Sequence, residues 1–147
     1  NERIEKVKLL NSIIMSLIES NKFDAEEGLI LIPTGDGMAI SMKTDNAELA
    51  IDIASKIKKE AVIKDLPIRI GLNKAQDTII QDINSQVNLC GPGIIGAQRI
   101  MDFAHAHEIL VSESVYASIA DRKGREKFKK SEDADKHGMK WTFYYYH

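Results

Sequence analysis

Residues 29–42 read Leu-Ile-Leu-Ile-Pro-Thr-Gly-Asp-Gly-Met-Ala-Ile-Ser-Met, with an Asp-Gly step between two short apolar runs. Asp-Gly between hydrophobic segments is a strong local signal for a β-hairpin, because glycine tolerates the positive φ of a tight turn. The stretch therefore predicts two antiparallel strands with Asp36 at the tip. A carboxylate held there suits Mg²⁺ or Mn²⁺, which bind hard oxygen ligands. The alternative, which the stretch alone favours, is that Asp36 is a turn former without a metal.

Composition limits the functions open to this chain of 147 residues, of which 44% are hydrophobic and 29% charged. These values are ordinary for a globular protein, and we expect one domain over residues 1–147. A formal net charge of −2 argues against nucleic acid as a partner. Cys90 is the single cysteine, so an intrachain disulfide is excluded.

The ends and the apolar runs of the chain bear on its location. The longest apolar run is far shorter than a membrane span, and the charged amino end has no signal-peptide core. We therefore expect a cytoplasmic protein with no membrane segment in this chain. Because the chain begins with Asn1, we also expect it to be a fragment of a longer protein.

Hydrophobic periodicity predicts the remaining elements. The predicted helices cover residues 2–20, 47–61, 94–104 and 113–119, and the predicted strands cover 28–32, 38–42, 68–72, 87–90, 108–111 and 141–146. We expect an Asp45–Glu48 capping box, a strand-to-helix junction at residues 91–93 around Pro92, and Ser112 as the cap of the fourth helix. A polar connection is expected before residue 87, and an exposed loop with a short helix over 121–136.

This order of elements indicates an α+β sandwich of the ferredoxin-like, split βαβ type, with strands paired as hairpins and the helices on one face. That architecture normally opens with a strand before its first helix. The chain starts on the helix, so we expect its first strand to be missing.

Two separated blocks together resemble the class III nucleotidyl cyclase catalytic domain, and the match runs from about residue 4 to the end of the chain. The first block joins 31–37 (LIPTGDG) to 68–72 (IRIGL), and the second joins 87–102 (VNLCGPGIIGAQRIMD) to 108–112 (EILVS). The PTGDG turn, the GPGI segment before AQR, and the KHG at 136–138 are most similar to the bacterial branch that includes the pyrimidine cyclases of antiphage defence.

The resemblance implies a homodimer with active sites shared across the interface. It implies that two Asp carboxylates hold Mg²⁺ or Mn²⁺ while the ribose 3′-hydroxyl of a nucleoside triphosphate attacks the α-phosphate and pyrophosphate leaves. By this resemblance Asp36 is one metal-binding carboxylate, and Arg99 stabilises the transition state. Gly35 and Gly37, on either side of Asp36, are expected among the nucleotide-binding positions.

Several positions depart from the family pattern. The first metal-binding Asp belongs to the opening strand, which this chain does not contain. The family's transition-state Asn lies four residues before the arginine, where this chain has Ile95, which cannot donate a hydrogen bond. The base-reading Lys and Asp of adenylyl cyclases correspond to Ile32 and Asn88, so adenine recognition is not expected. Asn88 either contacts a pyrimidine edge or satisfies its own loop backbone.

Other candidates have simpler explanations. His105 and His107, near Asp102, are expected to be solvated histidines at a helix end rather than metal ligands. Cys90 is expected to be a small buried residue. The aromatic strand 141–146 is expected to pack its rings under a helix rather than stack a base. Lys140 is expected to be a solvated lysine rather than a phosphate ligand.

Two functions from different classes follow. The leading hypothesis is a nucleotidyl cyclase domain that makes a 3′,5′-cyclic nucleotide from a pyrimidine triphosphate. The alternative is a cyclase-homology module that has lost turnover and serves as a dimerisation or nucleotide-sensing regulatory domain. A third, an unrelated ferredoxin-like binding domain, requires both sequence blocks to match by accident.

Overall fold

The computed structural model describes residues 2–21, 30–34, 37–41, 46–75, 78–81, 87–90 and 92–146. The helices in this part of the chain are α1 (Glu2–Asn21), α2 (Ala47–Ile63), α3 (Pro92–Met101), α4 (Glu113–Ala117) and α5 (Arg122–Arg125). The strands are β1 (Ile30–Thr34), β2 (Gly37–Ser41), β3 (Ile70–Leu72), β4 (Thr78–Gln81), β5 (Val87–Cys90), β6 (Ile109–Ser112), β7 (Phe128–Ala134) and β8 (Lys140–Tyr146).

A four-stranded mixed sheet in the order β3-β6-β8-β7 forms the centre of the fold. β3 and β6 are parallel, whereas β8 is antiparallel to both β6 and β7. All four residues of β6 are buried, because successive side chains point to opposite faces and both faces are covered. The predicted α+β class is confirmed.

Helices cover the two faces of this sheet separately. One face packs against α2 and α4 in a cluster of Ala47, Ile51, Ala54, Ile109, Val111, Val115, Ile119 and Tyr144. The other face packs against α3 and the residues after it in a cluster of Ile100, Ala104, Leu110 and Phe143. The prediction that all helices lie on one face is therefore wrong, and the unbroken apolar run Ile109–Val111 is the reason, since it supplies apolar side chains to both faces.

Helix α1 packs against α2, where Ile14 joins Ile53 and Ile57 in one cluster and Ile13 joins Ala61 in another. Ile4, which the periodicity assigns to the packed face, is 53% exposed. None of the helices in the described residues has a stretch apolar and long enough to cross a membrane.

The predicted hairpin is present as β1 and β2, which pair antiparallel up to Thr34 opposite Gly37. Gly35 and Asp36, which join the two strands in sequence, lie outside the described residues. A second antiparallel hairpin pairs β4 with β5. The prediction of a polar connection before residue 87 missed β4, a short strand set among polar residues.

The segment predicted as an exposed loop with a short helix contains that helix, α5, and also the seven-residue strand β7. Its side chains are mostly exposed, and β7 lies at the edge of the sheet. Backbone pairing with β8 holds the strand in place. The prediction of a loop was wrong because an edge strand of this kind has no apolar face that the sequence could reveal.

Helix caps follow the sequence closely. Ser112 caps α4 as predicted, accepting a hydrogen bond from the backbone N–H of Val115 at 3.2 Å. Pro92 is the first residue of α3, so the helix begins within the predicted strand-to-helix junction, two residues before the predicted start at Ile94. Helix α2 is capped by Asn46, whose Oδ1 accepts from the N–H of Leu49, so the expected Asp45–Glu48 capping box is wrong. Glu48 instead accepts from the N–H of Ala120 at 3.0 Å.

Candidate active site

Helix α3 carries the predicted arginine and lies very close to the sheet. A Cβ added to Gly71 of β3 would stand 2.5 Å from the carbonyl oxygen of Ala97 and 2.6 Å from the backbone nitrogen of Met101. Real side-chain carbons do not approach backbone atoms so closely. Glycine at position 71 is therefore what allows α3 to lie directly on the backbone of β3.

Asn73, just after β3, fixes the start of the same helix. Its Nδ2 donates a hydrogen bond to the carbonyl oxygen of Gly93 at 3.1 Å. A Cβ on Gly96 would overlap Asn73 Nδ2, so a larger residue at position 96 would displace the Asn73 amide. Helix α3 is thus held against the sheet by a steric fit and by one side-chain hydrogen bond.

The amide of Asn73 also contacts α4. Ser114 Oγ lies 3.2 Å from Asn73 Oδ1 and 3.0 Å from the carbonyl oxygen of Lys74, so its hydroxyl hydrogen serves one or the other acceptor. Ser112 Oγ is 2.8 Å from Ser114 Oγ. The network joins the end of β3 to the first turns of both α3 and α4.

Arg99 and Ile95 lie one turn apart on α3 and share a face of the helix. Ile100 is buried on the neighbouring face of the helix, which packs on the sheet. Ile95 is 57% exposed, whereas Arg99 is half-buried. An isoleucine so exposed next to an arginine contributes little to the core, and it occupies the position where a hydrogen-bond donor is expected from the family pattern.

The other predicted site residues lie on the hairpins. Ile32 belongs to β1 and pairs with Ala39, Gly37 opens β2, and Asn88 belongs to β5 and pairs with Ile80. The side chains of Ile32 and Asn88 lie outside the described residues, as do Gly35 and Asp36. Among the predicted positions, the structure therefore brings Arg99 and Ile95 together on one helix.

Metal ligands were predicted at Asp36 and not among the histidines. In the ranges that the structure describes, no three His, Cys, Asp or Glu side chains come together as a metal site. His105 and Asp102 are exposed, as expected for His105. His107 differs from the prediction of a solvated histidine, because it is half-buried at a φ of 65° and its Nδ1 is buried without a hydrogen-bond partner.

The aromatic side chains of β8 pack against other residues of the chain. The rings of Phe143 and Phe103 stack at 4.9 Å, and the rings of Tyr144 and Tyr116 stack at 3.8 Å on the other face of the sheet. Lys140 is exposed, in line with a solvated lysine. Cys90 lies in β5, and its side chain is outside the described residues. The two stacked pairs agree with the interpretation of this strand as a packing element.

Sequence reasoning missed Asn73 as a member of the site. Its signal is a polar amide directly after a short apolar strand, with glycines at both 71 and 96. The amide contributes to the site through the helix that it holds and not through its own chemistry. A search restricted to carboxylates, histidines and arginines passes over such a residue.

The chain has the fold of the catalytic domains of adenylyl and guanylyl cyclases. The guanylate cyclase domain of RhGC from Catenaria anguillulae, solved with GTP, is similar with a TM-score of 0.64 and 22% identity, over 94% of this chain and 79% of that one. The adenylyl cyclase CyaB from P. aeruginosa is similar with a TM-score of 0.66 and 19% identity, over 95% and 81%.

A non-canonical dimeric guanylyl cyclase domain of the RhoGC fusion protein from Blastocladiella emersonii is similar with a TM-score of 0.58 and 25% identity. The comparison covers 95% of this chain and 83% of that one. The chain matches no known family model, and no curated protein matches it. The similarity to solved structures thus identifies the fold.

Proposed function

We propose that the chain is a nucleotidyl cyclase domain that converts a nucleoside triphosphate into a 3′,5′-cyclic nucleotide and pyrophosphate. The observation that carries the proposal is Arg99 on a helix held tightly against the central sheet, within a fold shared with cyclase catalytic domains. A guanidinium carried on a helix held in this way suits a reaction in which negative charge builds up on a transferring phosphorus.

In the proposed reaction, the ribose 3′-oxygen forms a bond to the α-phosphorus while the bond from that phosphorus to the bridging oxygen breaks. The hydroxyl proton leaves to solvent, and pyrophosphate carries the electron pair away. Arg99 donates to the oxygens of the transferring phosphorus. Asp36 is the proposed carboxylate ligand of Mg²⁺ or Mn²⁺, which when bound lowers the pKa of the attacking hydroxyl and neutralises charge on the leaving group.

A pyrimidine triphosphate is the proposed substrate. Ile32 and Asn88 occupy the positions where adenylyl cyclases have a base-reading Lys and Asp, so the contacts that select adenine are missing. An amide at position 88 can both donate and accept hydrogen bonds, which suits the edge of a pyrimidine.

The same proposal has four further parts. It assigns the chain to the bacterial cyclase branch of antiphage defence and to the cytoplasm. It also takes residues 1–147 as a single domain that acts as a homodimer with shared sites.

Ile95 sets an expectation for the rate. Loss of one hydrogen-bond donor to a transition state typically costs about 10²–10³-fold in rate, so turnover is expected to be slow. This exposed isoleucine also favours a second candidate function, a cyclase-homology module that binds nucleotide or dimerises without turnover. The two candidates differ in whether any cyclic product forms.

A turnover assay with Mn²⁺ and each of ATP, GTP, CTP and UTP separates them, with cyclic products identified by mass spectrometry. The assay uses the 147-residue chain and, where a coding sequence extends upstream of Asn1, the extended chain beside it. The proposal predicts one cyclic product that Asp36→Ala abolishes. Asp52→Ala, which removes an exposed carboxylate on α2, serves as the matched control and is expected to retain turnover.

Absence of product from all four nucleotides, in a folded protein, would contradict the enzymatic proposal. Nucleotide binding without product in that experiment would support the regulatory module. Product formation that Asp36→Ala leaves unchanged would remove Asp36 from the mechanism.

A further inference from the structure

Asn73 makes a contact that the proposed reaction does not use directly. Its side chain lies between β3 and the first turn of α3, where Nδ2 donates to the carbonyl oxygen of Gly93 at 3.1 Å. The opposite end of the amide, Oδ1, faces the hydroxyl of Ser114 at 3.2 Å. Donor and acceptor ends are thus assigned by their partners, and the amide has one orientation.

Two glycines bring α3 close to this amide and to β3. Gly96 packs directly against Asn73 Nδ2, and Gly71 packs against the backbone of Ala97 and Met101. Helix α3 therefore meets the sheet at two glycine contacts, with the Asn73 amide beside one of them. Tightly packed contacts of this kind transmit a displacement instead of absorbing it.

Arg99 lies on the same helix, six residues after Gly93 and three after Gly96. A helix rises about 1.5 Å per residue, so Arg99 is about 9 Å along the axis from the carbonyl that Asn73 holds. A shift or tilt of the first turn of α3 would move the guanidinium by a comparable amount. Catalytic groups lose about 10²-fold in rate when misplaced by about 1 Å.

We propose that Asn73 is a positioning residue that fixes α3, and through α3 the guanidinium of Arg99. The part of this inference that concerns turnover rests on the proposed cyclase function, whereas the part that concerns α3 does not. Asn73 is expected to act on the transition state and not on ground-state binding, because Arg99 is assigned to charge that develops during the reaction.

The test compares Asn73→Ala and Asn73→Asp with Ser118→Ala as a matched control. Ser118 Oγ donates to the carbonyl oxygen of Ser114 at 2.8 Å and accepts from Lys74 Nζ at 3.2 Å, so its loss removes two hydrogen bonds at the end of α4, neither of which involves α3. Asn73→Asp keeps the shape of the side chain and the acceptor toward Ser114, but it removes the donor toward Gly93. It therefore tests the hydrogen bond if the alanine variant fails to fold.

The first measurement is amide hydrogen exchange over residues 94–101. We expect exchange in this segment to be about five- to ten-fold faster in both Asn73 variants and unchanged in Ser118→Ala, because one hydrogen bond that holds the helix is lost. Unchanged exchange over residues 94–101 in a folded Asn73 variant would overturn the inference. This measurement does not depend on cyclase activity.

The second measurement is steady-state kinetics on the nucleotide that the wild-type chain converts. We expect kcat to fall about 10- to 100-fold in the Asn73 variants while KM changes by less than about three-fold, because only transition-state interactions are weakened. A general loss of stability would instead lower the active fraction in all variants alike. Equal kcat for Asn73→Asp and Ser118→Ala would overturn the assignment to Arg99. A wild-type chain without product would contradict the proposed function, and the exchange result would still decide whether Asn73 fixes α3.

Discussion

Asn73 after β3 and Asp135 in the turn between β7 and β8 each hold backbone in place through a short polar side chain. Asn73 is neutral and lies between a strand and a helix. Asp135 is a carboxylate at the surface, and its oxygens accept from the N–H groups of His137 at 2.8 Å and Met139 at 3.1 Å and from the indole N–H of Trp141 at 3.0 Å. Asn73 therefore anchors the candidate catalytic helix α3, whereas Asp135 anchors the turn that closes the β7–β8 hairpin.

The two anchoring side chains differ in whether they can change protonation state. The hydrogen bond from Trp141, followed by those from the backbone of His137 and Met139, holds the pKa of Asp135 below its usual value of 3.8. The amide of Asn73 does not titrate in the range where proteins fold. The hydrogen bonds of Asn73 therefore involve no titrating side chain of its own, whereas the β7–β8 turn loses its anchor in acid.

The largest expected effect comes from Gly71→Ala, which breaks the close contact between α3 and β3. The new methyl group would meet backbone atoms of Ala97 and Met101, which cannot rotate away. We expect the free energy of unfolding to fall by about 1–3 kcal/mol or more and turnover to be lost with it. Urea denaturation measures the change. Gly124→Ala is the control, because its nearest neighbour is a side-chain methyl of Ile119 at 3.2 Å, and equal stability of the two variants would contradict the close approach.

The next effect is a gain and concerns the outer face of α3. Ile95→Asn places a hydrogen-bond donor one turn before Arg99, at a position that is 57% exposed and tolerates a polar side chain. We expect kcat to rise about 10- to 100-fold with little change in unfolding free energy. Steady-state kinetics on the preferred nucleotide checks this, with Ile63→Asn as the control because Ile63 is an exposed isoleucine on α2. A rise in both variants, or in neither, would count against the assignment of position 95 to the site.

A smaller effect is expected from Asp135→Asn, which breaks the other anchor. Because the pKa of the folded carboxyl lies below 3.8, its stabilising contribution is complete above that pH and is lost as the pH falls through the lowered value. The unfolding free energies of wild type and variant should therefore differ most at neutral pH and converge in acid. Urea denaturation between pH 7 and pH 2 measures the difference. Asp133→Asn on β7 controls for the loss of one carboxylate, and a difference that grows in acid would refute the assignment.

The smallest effect is expected far from both anchors. Asp52 and Lys56 form an exposed ion pair on α2 at 3.0 Å. Such pairs between residues four apart contribute about 0.3–0.5 kcal/mol, so Asp52→Ala should change the unfolding free energy by no more than that. Thermal denaturation at low and high salt checks the size. A loss comparable to that of Gly71→Ala would show that stability is not concentrated at the packed junction.

The sequence predicted the elements whose own side chains specify them. The β1–β2 hairpin followed from an Asp-Gly step between apolar runs, and the start of α4 followed from Ser112 as a cap. Strand β7 could not be predicted in this way, because pairing with β8 stabilises it and its own side chains are mostly polar and exposed. The hydrophobic pattern of a sequence predicts which side chains are buried, and an edge strand buries few of them.

The residues of the candidate site likewise fall into those that the sequence predicted and those that it did not. Arg99 and Ile95 could be placed on one helical face from their spacing, and the structure agrees. Asn73 could not be found, because its role depends on two glycines from separate elements and on the carbonyl of Gly93, twenty residues away. The position of α3 on the second face of the sheet was predictable in principle, since Ile109–Val111 has no alternation.

The most direct test of the account is the turnover of Arg99→Ala beside Arg125→Ala, with Mn²⁺ and the nucleotide that the wild-type chain prefers. Arg125 lies exposed on α5 and has no assigned role, so it controls for the loss of one cation. The account predicts that cyclic product formation falls about 10²–10³-fold in Arg99→Ala and stays at the wild-type rate in Arg125→Ala. Equal turnover in the two folded variants would contradict the claim that Arg99 stabilises the transition state.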